Sequence, residues 1–265
     1  SAIVPALCRI PQRFGYKATR ESADMFYTHK LPPHDLYNPN IPTVAKFMSF
    51  AHHIGLLSES PETTLPQDLE FPLPKLSSEA KAKVNQLLKP LESNKPLVVL
   101  APKTIWPTKH WTEDGWKQLI KGLCQQGIQC ILVGSPQDKG ELDLLTEGIS
   151  TKTLVLNLAG QTSLVDLYTL YQQVDLFIGL DSAPLHIANA VSNQHGQPKI
   201  IGIYGPTGPK RTGPIGNTHM TVHTSLSCQP CFKRQCPIKT HDCMIDLTPD
   251  MILQTIQKQL HTSQP

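Results

Sequence analysis

Nowhere in these 265 residues does an apolar run reach the roughly eighteen needed to cross a bilayer, so no membrane-spanning helix is expected within them. No Gly-x-Gly-x-x-Gly follows the first strand candidate, which counts against a nicotinamide or flavin dinucleotide site. The charge excess is small, +3 with a pI near 8.4. That is too little to argue for nucleic acid, though it suits a phosphate-bearing substrate or an anionic membrane surface. The opening stretch SAIVPALCRIPQRFGY is no signal peptide, because its apolar part is short and broken by Pro5. No internal repeat recurs at a fixed short period. Cysteines are few and odd in number, seven. Cys8, Cys124 and Cys130 sit in apolar segments, as small core residues would, and a reduced, cytoplasmic chain is expected.

What is present is an alternating pattern. An apolar fraction of 39% with 17% charged residues fits a globular chain with a substantial core, in two ordinary domains or one large one. From about residue 96 the strand candidates are PLVVLAP (96–102), IQCILVG (128–134), TLVLN (153–157), VDLFIG (174–179), PKIIGIYG (198–205) and HMTVHT (219–224). Helical patterns lie between most of them. Thr112 reads as the N-cap of TEDGWKQLIKGLCQQG, with Gly127 as its stop. SLVDLYTLYQQ opens with Ser163 and Asp166 at capping-box spacing. Continuous Val/Ile/Leu strands alternating with helices predict an α/β fold, a parallel sheet covered on both faces and Rossmann-like.

The flanks read differently. Residues 58–77 hold four prolines and little periodicity, an interdomain linker. TVAKFMSFAHHIG (43–55) is one helix ending at Gly55. TPDMILQTIQKQL (248–260) is another, with Thr248 as cap and Pro249 at its first position. Residues 1–57 are too short and too poor in strands for a domain of their own, and resemble the tail of one.

Chemistry concentrates where strands end. In FIGLDSAPLHIANA, an apolar strand stops at a carboxylate and a hydroxyl, Asp181 and Ser182, and a helix carrying His186 begins. Amides near Ser182 and Ala183 would face an anion at that helix start. An acid beside an anion is unfavourable unless it serves another part of the ligand, and sugar hydroxyls are natural donors to it. The plain alternative is that Asp181 or Ser182 caps the helix. APKTIWPTKHW (101–111) brings Thr104, Thr108 and Lys109 to the same sheet edge, although a lone loop lysine is often only solvated. In GSPQDKGE (134–141), Asp138 follows a strand end, where an acid can hold ribose hydroxyls, or can merely complement a helix start.

DSAPLHIANA followed by IIGIYGPTGPKRTGPIG resembles the signature of glycosyltransferase family 9, which contains the ADP-heptose:lipopolysaccharide heptosyltransferases. Lys109-His110-Trp111 and LAGQTSLVDL (158–167) match two further motifs of that family, and the CQPCFKRQCP block occurs in many members resembling heptosyltransferase II. Ala183 departs from the usual Gly, and SNQHGQ (192–197) lengthens a loop that is usually shorter. The resemblance implies a GT-B fold of two Rossmann-like domains. Residues 1–57 would be the remainder of the N-terminal, acceptor-side domain and 78–247 the nucleotide-sugar domain. The helix of 248–265 would pack back on the N-terminal domain.

The implied reaction is inverting transfer of heptose from ADP-heptose to the lipid A–Kdo inner core of lipopolysaccharide, with no cofactor and no required metal. It would take place peripherally at the cytoplasmic face of the inner membrane, with no nucleic acid as partner. Lys109 and Thr104 would touch the diphosphate, Asp138 the ribose, and Thr162, Ser163 and Leu164 the adenine. Asp181 would take heptose hydroxyls, and the Ser182 and Ala183 amides the phosphate. The family's Gly-Asp motif, the proposed base, does not occur here; roughly 80–100 residues of an N-terminal domain would carry it, and without them no transfer is expected. A transferase with another nucleotide-sugar donor, or a non-catalytic nucleotide-sugar-binding remnant, are the competing readings.

Cys228, Cys231, Cys236 and Cys243 lie within sixteen residues and are candidate ligands of a structural zinc, with His241 as an alternative ligand. Their spacing is not a paired CxxC…CxxC. A reduced, loop-ordering cluster, or one or two disulfides, are the other readings, and a basic zinc-ribbon module binding nucleic acid is a weaker one.

Overall fold

The structure, a computed structural model, describes residues 2–17, 20–33, 38–58, 71–149, 154–216 and 219–261. It divides into two compact units, Ser1–Gln67 and Asp68–Pro265. The expected linker, 58–77, spans that division, and most of it, 59–70, lies outside the described residues.

The first unit holds α1 (Ile3–Leu7), β1 (Phe14–Tyr16), β2 (His29–Leu31) and α2 (Thr43–His53). β1 and β2 pair in parallel, with Gly15 opposite Lys30. α2 buries Ala45, Lys46 and Ser49 and stops just before Gly55, whose φ of +79° a side chain would strain. Cys8 caps the end of α1 and is exposed, which corrects the expectation of a core thiol. The apolar residues around it, Val4 and Leu7, are exposed as well, so the segment provides no core for it.

The second unit contains α3 (Ser78–Leu88), β3 (Leu97–Ala101), α4 (Glu113–Gln125), β4 (Gln129–Leu132), α5 (Lys139–Leu144) and β5 (Val155–Asn157). It continues with α6 (Leu164–Tyr171), β6 (Leu176–Leu180), α7 (Ala183–His195), β7 (Lys199–Tyr204), α8 (Pro209–Thr212), β8 (His219–His223), α9 (Asp242–Ile245) and α10 (Pro249–His261). All six strand candidates are strands of one sheet, ordered β5-β4-β3-β6-β7-β8, and every pairing is parallel. The chain winds outward from β3 to β5, then returns beside β3 and winds the other way through β6, β7 and β8. The order therefore reverses between β3 and β6, where doubly wound sheets bind ligands.

Alternation along each strand divides the core in two. Val98, Leu100, Leu132, Ile178, Ile201 and Ile203 face one layer with Trp116, Leu119 and Leu123 of α4. Val99, Ile131, Phe177, Ile200 and Tyr204 face the other, with Tyr168 and Tyr171 of α6 and Leu185 and Val191 of α7. Both faces are apolar, so these strands read as unbroken hydrophobic runs. The local stops also hold. Thr112 Oγ1 accepts from the Gly115 amide at 3.1 Å, and Ser163 and Asp166 form the full capping box. α10 packs on α4, β7 and β8 and buries Ile252 and Ile256 in this core. No helix among the described residues is long and apolar enough to cross a membrane.

Candidate functional site

A cleft of about 590 Å³ opens at the carboxyl edge of the sheet, over the β3–β6 reversal. It is lined by Thr104 and Lys109 after β3, Asp138 after β4, Thr162 and Leu164 before and at the start of α6, and Asp181, Ser182 and Ala183 after β6. A larger hollow of about 730 Å³ lies at the opposite edge, around Lys89, Asn94, Gln129 and Asp175. Two of its polar side chains are engaged by the fold: Gln129 bonds both the amide and the carbonyl of Glu92, and Asp175 accepts from the Leu97 amide. The carboxyl edge is where helix N-termini point, so it is the edge that can hold an anion.

Lys109 is positioned by the residues on either side of it. Trp111 is buried, stacks edge-on against Trp116 with centroids 5.1 Å apart, and donates its Nε1 hydrogen to the Leu247 carbonyl at 2.8 Å. His110 Nε2 lies 2.7 Å from the Thr104 carbonyl, so as the donor it closes the loop on itself. Thr108 is buried and donates to the Lys233 carbonyl at 2.9 Å. Between these anchors Lys109 turns into the cleft. Its Nζ lies 2.8 Å from Asp181 Oδ2 and 2.9 Å from the Asp181 carbonyl.

Asp181 is buried. Thr212 also donates to Oδ2, at 3.1 Å, and His186 Nε2 lies 3.6 Å from Oδ1. Burial pushes the carboxyl up, but His186 and the Lys109 ammonium outweigh it and bring it down to about 2. Asp181 is therefore an anion held in the wall of the cleft, with His186 and Lys109 on its two oxygens.

Neither residue at the start of α7 acts as its cap. Ser182 has no capping hydrogen bond, and its Oγ donates back to the Leu180 carbonyl at 3.2 Å. Pro184 brings no amide hydrogen. Ser182, Ala183 and Pro184 line the cleft, so the first turn of α7 meets it with no side-chain cap, the kind of helix start that accepts a phosphate or carboxylate.

Two expected residues have other duties. Ser163 lies between Thr162 and Leu164 of the cleft wall; its hydroxyl accepts from the Asp166 amide at 3.2 Å, and its own amide donates to Asp166 at 2.8 Å. The capping box thus engages the Ser163 hydroxyl and amide with the protein itself. Lys83 completes the arrangement with an ion pair to Asp166 at 2.6 Å. Asp138 does line the cleft, and Oδ2 accepts from both the amide and the hydroxyl of Ser135, at 2.7 and 2.6 Å. It closes a capping box at a short helical turn, so a ligand meets an oxygen already held in place.

The four clustered cysteines surround a void of about 20 Å³ together with His241. All are free thiols, and no three His, Cys, Asp or Glu side chains among the described residues form a group able to hold a metal. The zinc reading finds no support in that geometry. The backbone amide of His241, helped by those of Ile238, Lys239 and Thr240, lowers the Cys236 thiol, whereas burial and the neighbouring thiols raise Cys243 to about 11.

Sequence reasoning missed Trp106, Thr212 and Arg234. Thr212 follows the GPTG turn and was within reach of that motif. Trp106 and Arg234 carry no spacing signal, and only the fold brings them to the cleft.

The arrangement has known counterparts. The family model Glycosyltransferase family 9 (heptosyltransferase) matches residues 1–241. The chain is 27% identical over 271 residues to lipooligosaccharide heptosyltransferase 2 of Haemophilus ducreyi, covering 98% of this chain and 73% of that protein. The structure of E. coli ADP-heptose LPS heptosyltransferase II superposes with a TM-score of 0.73 at 24% identity, over 98% of this chain and 73% of that one. E. coli heptosyltransferase WaaC, solved with ADP, gives 0.57 at 21% identity, over 89% and 61%. At those identities the structural likeness speaks to the fold.

Proposed function

The chain belongs to glycosyltransferase family 9, the heptosyltransferases, and from that membership we propose that it transfers heptose from ADP-heptose to the lipid A–Kdo inner core of lipopolysaccharide. The observation that carries the donor half is the first turn of α7, with no side-chain cap, opening on the same cleft as Lys109. The relatives named above are heptosyltransferases, and WaaC was solved with ADP.

In this reading the diphosphate lies against the Ser182 and Ala183 amides, with Lys109 and Thr104 beside it. Asp138 takes the ribose hydroxyls, Thr162 and Leu164 border the base, and Asp181 accepts from heptose hydroxyls. The acceptor hydroxyl attacks the anomeric carbon from the face opposite the diphosphate. The bond from that carbon to the phosphate oxygen breaks, and its electron pair leaves with ADP. Charge then grows on the terminal phosphate, where Lys109 and the amides stabilise it. Asp138 and Asp181, the carboxylates lining the cleft among the described residues, are both engaged with protein donors, so neither is assigned the acceptor's proton.

The fold is proposed to be of the GT-B type, with 78–247 as the nucleotide-sugar domain and 1–57 as part of the acceptor-side domain. A lipid-linked acceptor suits a peripheral position at the cytoplasmic face of the inner membrane. The test is a donor panel with defined lipid A–Kdo acceptor: ADP-heptose should be used, and UDP- and GDP-sugars should not. Use of another donor would favour the broader family reading. Binding of ADP with no transfer from any donor would favour a non-catalytic binding protein.

A further inference from the structure

Three cations line the cleft, Lys103, Lys109 and Arg234. Two are already neutralised: Lys103 pairs with Glu141, and Lys109 with Asp181. Arg234 is exposed and has no carboxylate partner among the described residues. A nucleoside diphosphate brings at least two negative charges, and a helix N-terminus offsets only about half of one. The two lysines bring no net positive charge while their acids remain, so among the described residues Arg234 is the cation of this wall without a carboxylate partner.

Its position is built. Arg234 lies on the loop between β8 and α9, which carries the clustered cysteines. That loop is fastened to the turn bearing Lys109 by the bond from Thr108 Oγ1 to the Lys233 carbonyl and by His241 Nε2 against the Thr108 carbonyl. The residue next to Arg234 is thus pinned beside the residue next to Lys109. The guanidinium then lies over Trp106, with Cζ 5.1 Å from the ring centroid, and Lys109 Nζ lies 4.8 Å from the same centroid. Trp106 thus holds two cations, each about 5 Å from its ring centre, in the wall of the same cleft.

We infer that Arg234 binds the diphosphate of the nucleotide sugar, as a second cation beside Lys109, and that the cysteine-rich loop exists in part to deliver it. The inference rests on the proposed occupation of this cleft by a nucleotide-sugar donor. A guanidinium presents paired donors that match phosphate oxygens, so it can contact the diphosphate while remaining stacked on the indole. As the anomeric carbon–oxygen bond breaks, the same contact strengthens, because the leaving phosphate gains charge.

Calorimetry on the full chain with ADP and with adenosine, for wild type, Arg234→Lys and Arg234→Ala, tests this. Arg234→Ala should weaken ADP by about tenfold or more and leave adenosine within about twofold, with Arg234→Lys between. Wild-type affinity for ADP should also fall more steeply with salt than that of Arg234→Ala. Thermal midpoints check that both variants are folded, as expected for an exposed side chain. ADP affinity unchanged in Arg234→Ala would overturn the inference while leaving the donor site intact. Equal loss of adenosine and ADP would overturn it too, by assigning Arg234 to the base. Wild type that binds no ADP would remove the donor reading itself, and this inference with it.

Discussion

Lys109 and Asp181 stand 72 residues apart, behind different strands, yet Nζ and Oδ2 meet at 2.8 Å across the point where the sheet order reverses. Both partners are largely buried, so the pair is costly to break from one side, about 3–5 kcal/mol when a charge is left alone. A donor would have to share both members, its diphosphate drawing on the lysine and its sugar on the carboxylate.

Replacing Asp181 by Asn separates those roles. The amide keeps an acceptor oxygen for Lys109, so the loss of stability should be about 1–2 kcal/mol, not the full cost of an orphaned charge. ADP should bind at least as well, because a negative charge leaves the wall and Lys109 is freed. The nucleotide sugar should bind about 1–3 kcal/mol more weakly. Calorimetry with both ligands reads this, and equal weakening of the two would mean that Asp181 does not serve the sugar.

Acid should expose the same pair. The Asp181 carboxyl sits at about 2 in the folded chain against 3.8 for a free group, so the folded state holds its proton less tightly. Its stabilising contribution is complete above pH 4 and disappears as the pH falls toward 2, amounting to about 2 kcal/mol. Urea unfolding of wild type and Asp181→Asn between pH 5 and 2 should show a shallower slope for the variant. Parallel slopes would contradict the assigned ion pair.

Trp111 should matter through packing and not through contact with ligand. Trp111→Ala removes a buried indole and should cost about 3–5 kcal/mol. Trp111→Phe keeps most of the packing and loses the bond to the Leu247 carbonyl, about 1 kcal/mol plus the cost of the unpaired oxygen. Denaturant midpoints check both values. ADP affinity in Trp111→Phe should fall only modestly.

Asp138 and Ser135 share one capping box, so either alanine variant should lower stability by about 1 kcal/mol. Only Asp138→Ala should also weaken adenosine, because only Asp138 is proposed to reach the ribose. Equal ligand affinities in the two variants would reduce Asp138 to its capping role.

Thiol chemistry should rank the cysteine-rich loop. With its thiol lowered by surrounding amides, Cys236 holds more thiolate at neutral pH than Cys243, which is buried and raised to about 11. Iodoacetamide labelling of native protein at pH 7.5, read by mass spectrometry, should modify Cys236 well before Cys243. The reverse order would show that the amides do not hold the Cys236 sulfur.

Much of the site was legible because its signals are local. An apolar strand ending in Asp-Ser-Ala-Pro, a Lys-His-Trp run after another strand, and Ser163 and Asp166 three apart each show in a few residues what the backbone does there. Ser163 shows the limit of that logic. The same spacing that marks a capping box engages its hydroxyl and amide with Asp166, and local pattern cannot say whether the residue also meets a ligand. Cys8 failed for a related reason: apolar neighbours in sequence do not make a core when α1 leaves them exposed.

The sequence by itself determined the six strands, the helix caps and the parallel, doubly covered sheet, because side-chain periodicity and capping chemistry act over a few residues. It also placed Lys109, Asp138 and Asp181 at strand ends. Tertiary structure alone decided that Lys109 pairs with Asp181, that Thr212 joins them, and that Arg234 reaches the cleft over Trp106. Those contacts depend on the strand order β5-β4-β3-β6-β7-β8 and on the fastening of one loop to another. Such packing is settled by which apolar faces bury each other, and no short stretch of sequence contains it.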